Sequence, residues 1–199
     1  MIINSKFHRI MEMFSKYFFL NIIWLIMCLP IITIFPSTSA MFSIIRKWTM
    51  KEELANIAGE FFYQFKSNFF KSFITGFIWI FIGFVIYLYF LINLEISSTI
   101  LFYLLVFLCL GFLLMSVYLI PVLVHYDISI IKVYKFSIIY SISQLQYTLL
   151  NCLFISLFGI IIYLQPFFCL FLFSIFAHLI YFICHKSFEN VSKKTNKNL

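Results

Sequence analysis

Long apolar runs separated by short polar segments make up most of this chain. The runs without Asp, Glu, Lys or Arg cover residues 17–45, 73–94, 96–124 and 136–185. A helix needs about 20 mostly apolar residues to cross a bilayer, and the last run is long enough for two crossings at about 1.5 Å per residue. The pattern predicts an all-α fold, a polytopic membrane helical bundle, in which four transmembrane helices follow the first run: residues 73–94, 96–124, 136–163 and 167–185.

The first run is interrupted by two prolines. Pro30 and Pro36 lie inside an apolar region, residues 10–48, and proline removes a helical hydrogen bond and clashes with the preceding turn. We expect a proline-broken helical hairpin here, with its turn part-way to the outer surface. Two alternatives are a single span with the amino terminus outside and a signal peptide cleaved after Ala40.

Two polar segments complete the single membrane domain formed by residues 1–199. Residues 49–72 contain phenylalanines at helical spacing among lysines, which predicts a cytoplasmic interfacial helix. The alternative is a simple extension of the next span, and both can hold together. Residues 186–199 form a basic tail that we expect to be disordered.

Composition places the chain in the membrane. With 64% hydrophobic and only 11% charged residues, the chain has too few polar side chains to cover a soluble domain of this size. The net charge of +7 does not indicate nucleic acid, because the basic residues lie at the ends of apolar runs, where they set topology and contact anionic lipids. The lipid bilayer is therefore the first expected partner.

Counting Lys and Arg predicts which segments are cytoplasmic. They number three before residue 17, five in 46–72, none in 93–98, two in 125–135, none in 163–167 and four after residue 185. Basic segments remain on the cytoplasmic side, so both termini are expected there. The first run must then enter the membrane and return, although its 29 residues reach only about 43 Å as a helix. Two full crossings need about 60 Å, and the return arm must be short.

The first run and the segment after it also carry a recognisable signature. The residues concerned are Leu20, Asn21, Trp24, Leu25, Leu29, Pro30, Thr33, Pro36, Ser37, Ala40, Arg46, Lys47 and Trp48, followed by Phe61, Phe62, Phe65, Lys66, Asn68, Phe69 and Ser72. This pattern resembles the YesL-like family of bacterial integral membrane proteins. Phe35 departs from it, because the family typically has Gly before the second proline.

The resemblance implies a role without a mechanism. YesL-like proteins are largely uncharacterised and are often encoded beside genes for carbohydrate uptake by ABC transporters. The resemblance thus implies a non-enzymatic protein of the bacterial cytoplasmic membrane that is accessory to carbohydrate uptake, with ABC transporter subunits as partners. It supplies no catalytic residues, and it leaves the oligomeric state open.

The proline turn is the first candidate site. Pro30, Thr33, Pro36, Ser37 and Thr38 break a helix at membrane depth, where free backbone groups are tolerated only inside protein or beside a water-filled cavity. Broken helices bind ligands in transporters. The alternative function is therefore a small transporter or ligand-binding membrane protein with a polar cavity near Pro36-Ser37. The competing structural interpretation is a turn closed by its own Ser and Thr side chains.

The remaining polar residues predict packing rather than chemistry. Asn21, Gln144 and Asn151 lie in apolar runs, where amides normally bond across helices. His178 and His185 are seven residues apart, but two histidines without a carboxylate do not make the three- or four-ligand set of a zinc site. We therefore expect no metal, no cofactor and no catalytic residues.

Overall fold

The chain folds into seven α-helices in a computed structural model that describes residues 2–52, 54–96 and 98–197, with the backbone alone at 2–7, 9–10, 166, 169–171 and 194–197. The helices are α1 (Ile2–Cys28), α2 (Ile34–Thr49), α3 (Ile57–Ile96), α4 (Thr99–His125), α5 (Ile130–Ser143), α6 (Leu145–Leu164) and α7 (Cys169–Lys197). Short 3-10 turns at Ile31–Thr33 and Pro166–Phe168 precede α2 and α7. The described residues contain no strand, and the predicted all-α fold is confirmed.

Four helices of the described part are long and apolar enough to cross a membrane. They are Met11–Cys28 within α1, the whole of α3, α4 and α6. Most of their surface faces outward, as expected where lipid is the solvent. The last predicted span, 167–185, falls on the second 3-10 turn and α7, several of whose first side chains lie outside the described set. This predicted span is not one of the four helices named above.

The first two helices form an antiparallel hairpin. At its closed end, the Ser37 hydroxyl donates to the carbonyl of Met27 over 3.0 Å. At its open end, the rings of Tyr17 and Trp48 meet edge to face with centroids 5.2 Å apart. The return arm α2 has 16 residues, or about 24 Å, and is shorter than the bilayer core of about 30 Å. The short return arm required by the charge pattern is present.

Helix α2 lies at the centre of the bundle. Every residue from Pro36 to Ile45 is buried, and α2 packs against α1, α3, α4 and α7. Six of those ten residues are Ser, Thr, Ala or Pro, small enough to allow neighbouring helices to approach closely. The short return arm of the hairpin, α2, is therefore the helix around which the other helices pack.

The segment predicted as an interfacial helix differs from the structure at its start. Helix α2 continues to Thr49, and α3 begins at Ile57 and runs without a break to Ile96. Its 40 residues reach about 60 Å, twice the thickness of the bilayer core. Residues 57–72 thus extend the following span, the alternative allowed by the sequence, while residues 50–52 and 54–56 are not helical.

The predicted span 136–163 also differs, because it is two helices. The chain breaks at Gln144, whose φ of −125° and ψ of 49° are not helical. The Thr148 hydroxyl donates to the carbonyl of Ser141 over 2.9 Å. This bond replaces the backbone N–H bond that the Ser141 carbonyl would accept in a continuous helix. The crossing segment is therefore α6, and α5 is a separate short helix carrying exposed Lys132 and Lys135.

The tail expected to be disordered is helical as far as Lys197. Its first residues are tied to the bundle, because Phe188 is 3% exposed and its ring lies 4.8 Å from that of Tyr140. Asn190 adds a hydrogen bond of 2.8 Å to the Tyr147 hydroxyl. Apolar burial and a long-range hydrogen bond favour order in this segment despite its charge.

Candidate functional site

Charged side chains collect at one end of the bundle, and they line a cavity of about 310 Å³ there. Three elements form its wall: the end of α2, the first half of α3 and the end of α4 with the loop that follows. The lining residues that carry polar groups are Ser43, Arg46, Lys47, Tyr63, Gln64, Ser67, Asn68, Lys71, His125, Tyr126 and Asp127. We call this cavity the Arg46 pocket.

The hairpin determines where the pocket forms. Because α2 returns toward the end where α1 begins, its last turn delivers Arg46 and Lys47 to the basic side of the protein. The chain then reverses between the end of α2 and the start of α3, so that α3 runs back along α2. Helix α4 ends at His125 on the same side. Arg46 and Lys47 therefore face the wall of the pocket that α3 and the end of α4 form.

One side of the pocket is an ordered polar chain on α3. Lys47 forms a salt bridge of 2.8 Å with Glu60, and the Gln64 amide donates to the same Glu60 oxygen over 2.8 Å. Asn68 in turn donates to the Gln64 carbonyl oxygen over 3.2 Å. These bonds hold the amides at one-turn intervals along α3 and leave the Lys47 charge balanced by a carboxylate.

The opposite side has a weaker ion pair. Lys71 lies 3.1 Å from a carboxylate oxygen of Asp127, whose side chain is fully exposed. Water screens a pair with such an exposed partner, so this ion pair contributes little to stability. Beside it, burial and a hydrogen bond of 2.7 Å with Tyr140 raise the pKa of Tyr126 far above its ordinary value. Tyr126 therefore remains a neutral hydroxyl at physiological pH.

Arg46 differs from both lysines. Among the described residues, no carboxylate forms a salt bridge with Arg46, and no acceptor lies within hydrogen-bonding distance of its buried Nε. Its guanidinium does bond to the Tyr181 hydroxyl. That hydroxyl also lies 2.9 Å from Nδ1 of His125. The cation is thus positioned by neutral groups while its charge stays unbalanced.

The histidine pair near this pocket is not the one suggested by the sequence spacing. The rings of His125 and His185 lie 5.6 Å apart, and His185 Nε2 is 3.5 Å from Glu189. His178 instead lies beside Tyr17, with 3.1 Å between Nδ1 and the hydroxyl. Within the described residues, no group of three or more His, Cys, Asp and Glu side chains could hold a metal ion. Sequence spacing could not reveal the His125–His185 contact, because it joins two distant helices.

A second, wider cavity of about 950 Å³ lies beyond the open end of the hairpin. Tyr17, Trp48 and His178 provide its aromatic wall, and charges of both signs surround it. The Tyr17 ring packs against both neighbours, edge to face. Its two acidic and two lysine side chains are balanced, so this cavity lacks the excess positive charge of the Arg46 pocket.

The polar residues of the proline turn bond within the hairpin. Thr33 donates to the carbonyls of Met27 and Pro30, and Ser37 also donates to Met27. Thr38 donates to the carbonyl of Ile34 over 2.7 Å and accepts from the Trp24 indole over 3.2 Å. Pro30 precedes the 3-10 turn and Pro36 lies in the first turn of α2, where its missing N–H costs nothing. These bonds favour the interpretation as a structural turn.

The three amides singled out in the sequence have different environments. Asn151 on α6 lies 3.4 Å from the Cys184 thiol on α7, an interhelical contact of the expected kind. Gln144 contributes its backbone to the α5–α6 break, and its carbonyl accepts from Thr148 over 3.1 Å. Asn21 is fully buried in α1. The structure does not bring these three residues into one site.

Comparison with known proteins places the signature in context. Residues 17–90 match the family described as a protein of unknown function, DUF624. The uncharacterized protein YteU of Bacillus subtilis (strain 168) is 32% identical over 177 residues, covering 80% of this chain and 76% of that protein. The uncharacterized protein YesL of the same organism is 28% identical over 135 residues, covering 66% and 65%. No solved structure matches the chain.

Proposed function

The chain belongs to the DUF624 family of YesL-like membrane proteins, and from that premise we propose that it is a non-enzymatic accessory subunit of a carbohydrate uptake system of the ABC type. The proposal includes the bacterial cytoplasmic membrane as its location, with both termini on the cytoplasmic side. Support for the location comes from the charge pattern, in which the segments 93–98 and 163–167 contain no Lys or Arg.

The observation that carries the proposal is the exposed aromatic surface on the first half of α3. Phe62 is 52% and Phe70 76% exposed, and Lys66 lies between them at the same four-residue spacing. These residues precede the apolar run that starts at residue 73. Exposed aromatic residues beside a basic one are typical of protein interfaces, so we infer that a partner protein packs here.

The polar groups of the spans support an accessory role over transport by the chain itself. Thr75 donates within its own helix, the Trp79 indole donates to Ser116 on α4 over 2.8 Å, and Asn151 contacts Cys184. The four charge-free runs contain no Asp, Glu, Lys or Arg. Coupled transporters usually place such residues within the membrane.

Photo-crosslinking in native membranes tests the accessory role. A benzoylphenylalanine at Phe70 is expected to capture an ABC transporter permease subunit, identified by mass spectrometry. The same group at Tyr103, which is 69% exposed at the opposite end of the bundle, serves as the matched control. Capture of the permease from position 70 and not from position 103 supports the proposal.

Capture of lipid alone from position 70 would contradict it. Aromatic residues also anchor helices at the membrane surface, and crosslinks to phospholipid without protein would assign Phe62 and Phe70 to that role. Substrate flux through the purified chain in liposomes would equally reject an accessory role in favour of transport.

A further inference from the structure

We propose that the Arg46 pocket binds a phosphate group, with Arg46 as its principal ligand. The proposal concerns a ligand of this chain alone and does not depend on a transport partner. It rests on the arrangement of cations in the pocket, on a buried donor without an acceptor, and on the polar side chains that surround them.

Arg46 is the cation whose charge remains to be matched. The two lysines of the pocket each have a carboxylate within 3.1 Å or less. No described carboxylate pairs with Arg46, and its buried Nε has no acceptor among the described residues. A buried donor without an acceptor costs about 1–3 kcal/mol, so an anion that reaches Nε recovers that loss. The planar guanidinium also presents two parallel donors to an oxyanion.

Charge around the pocket favours an anion. Its lining includes Arg46, Lys47 and Lys71, and a carboxylate pairs with each lysine, Glu60 with Lys47 and Asp127 with Lys71. Among the described residues, the charge of Arg46 is therefore in excess. Because Asp127 is fully exposed, water already screens its attraction for Lys71. Lys71 can therefore turn to a ligand at small cost. Two cations from different helices would then approach the ligand from separate directions.

The other side chains suit a tetrahedral oxyanion better than a planar carboxylate. Ser67, Asn68 and Tyr126 add neutral polar groups to the lining, and they come from α3 and from the loop after α4. The Asn68 amide has a second N–H besides the one given to Gln64, and either hydroxyl can donate in the Tyr126–Tyr140 bond. A phosphate has at least three oxygens pointing in different directions and can use donors on several walls, whereas a carboxylate has only two. The volume of about 310 Å³ is at the lower end of ligand sites, about 300–1,000 Å³.

Two sources can supply the phosphate. The pocket lies where α2 and α4 end, beside Leu123 and Val124, and basic residues just outside a membrane span attract anionic lipid headgroups. Inorganic phosphate in solution has the same chemistry. The experiment therefore uses both probes against the full chain in detergent micelles: dioctanoyl phosphatidylglycerol and inorganic phosphate, each measured by calorimetric titration.

The substitution Arg46→Gln is expected to weaken binding of the phosphate probe by about tenfold or more, the loss of a charge-assisted hydrogen bond. Lys132→Gln removes an exposed charge of the same sign from α5, outside the pocket, and is expected to leave the affinity unchanged. Tighter binding of phosphatidylglycerol than of inorganic phosphate would identify a lipid as the source. The reverse order would identify a free phosphate.

A measurement on the unsubstituted chain covers the case in which Arg46→Gln fails to fold. The chain has two arginines, Arg9 and Arg46, so phenylglyoxal modification can be followed at each by mass spectrometry. The bound probe should slow modification of Arg46 and leave Arg9 as the internal reference. Equal protection of both arginines, equal effects of the two Gln substitutions, or binding of a tetraglutamate peptide in place of both phosphate probes would overturn the proposal.

Discussion

Phe35 shows how one departure from the family signature is accommodated. Its ring lies directly on Gly76 of α3, and a Cβ added at Gly76 would overlap the Phe35 Cγ. The ring also lies 5.8 Å from Trp79, centroid to centroid. The family's glycine before the second proline is thus replaced by an aromatic residue, and the space it needs is provided by a glycine 41 positions later.

Gly76→Ala is therefore expected to destabilise the chain by about 1–3 kcal/mol, because the added methyl overpacks a filled contact. Thermal unfolding in detergent measures the effect. Gly111→Ala is the matched control, since nothing lies within 4 Å of its added Cβ and alanine favours a helix by about 1 kcal/mol over glycine.

The double variant Phe35→Ala/Gly76→Ala isolates the contact. Its loss should be smaller than the sum of the two single losses, because truncating the ring makes room for the methyl. Equal stability of the Gly76→Ala and Gly111→Ala proteins would refute the role assigned to Gly76. The sequence identified Phe35 as unusual, yet its partner could not be inferred, because the contact depends on how α2 packs on α3.

At the scale of whole elements, the α5–α6 break is held by one hydroxyl. Thr148 donates to the carbonyl of Ser141 over 2.9 Å and to that of Gln144 over 3.1 Å. It is fully buried, so water cannot replace these bonds. A side chain on α6 thus supplies a donor to the Ser141 carbonyl of α5, and this allows a bend without charged residues.

Thr148→Val removes that hydroxyl at nearly constant volume and is expected to lower the free energy of unfolding by about 1 kcal/mol, within the range for buried polar bonds in membrane proteins. Thr75→Val is the control, because Thr75 is also fully buried but its hydroxyl donates to the Lys71 carbonyl of its own continuous helix. Hydrogen exchange at residues 141–145 should rise in the first variant alone. Equal exchange there in both variants would show that the break does not depend on Thr148.

The sequence predicted the existence of the helices better than their boundaries. Apolar runs identify the spans, since lipid requires a minimum length. Runs do not reveal the break at Gln144, because residues 136–163 contain no charged residue and no proline and the break involves a hydrogen bond between two helices. The tail was misjudged for a related reason: its charge suggested disorder, whereas Phe188 packs against Tyr140.

At the scale of the molecule, the hairpin organises both the fold and the site. Burial of residues Pro36–Ile45 makes α2 the common neighbour of four other helices. The end of the same helix supplies Arg46 and Lys47 to the pocket. The sequence predicted the return of the chain and the basic end, but the pocket also needs Asn68, Lys71 and His125, which only tertiary packing brings near Arg46.

The antiparallel hairpin makes a topological prediction for the whole chain. If α1 crosses the membrane and α2 returns, residue 5 and residue 52 lie on the same side, and residue 95 lies on the other. Single cysteines at Ser5, Glu52 and Glu95 in a cysteine-free background, labelled with a membrane-impermeant maleimide, measure this. In intact cells only the cysteine at 95 should react, because basic segments stay inside. All three should react after permeabilisation, which controls for buried sites. Labelling of residue 5 but not of residue 52 in intact cells would mean that the first run crosses the membrane only once. Arg46 and the amino terminus would then lie on opposite sides of the membrane.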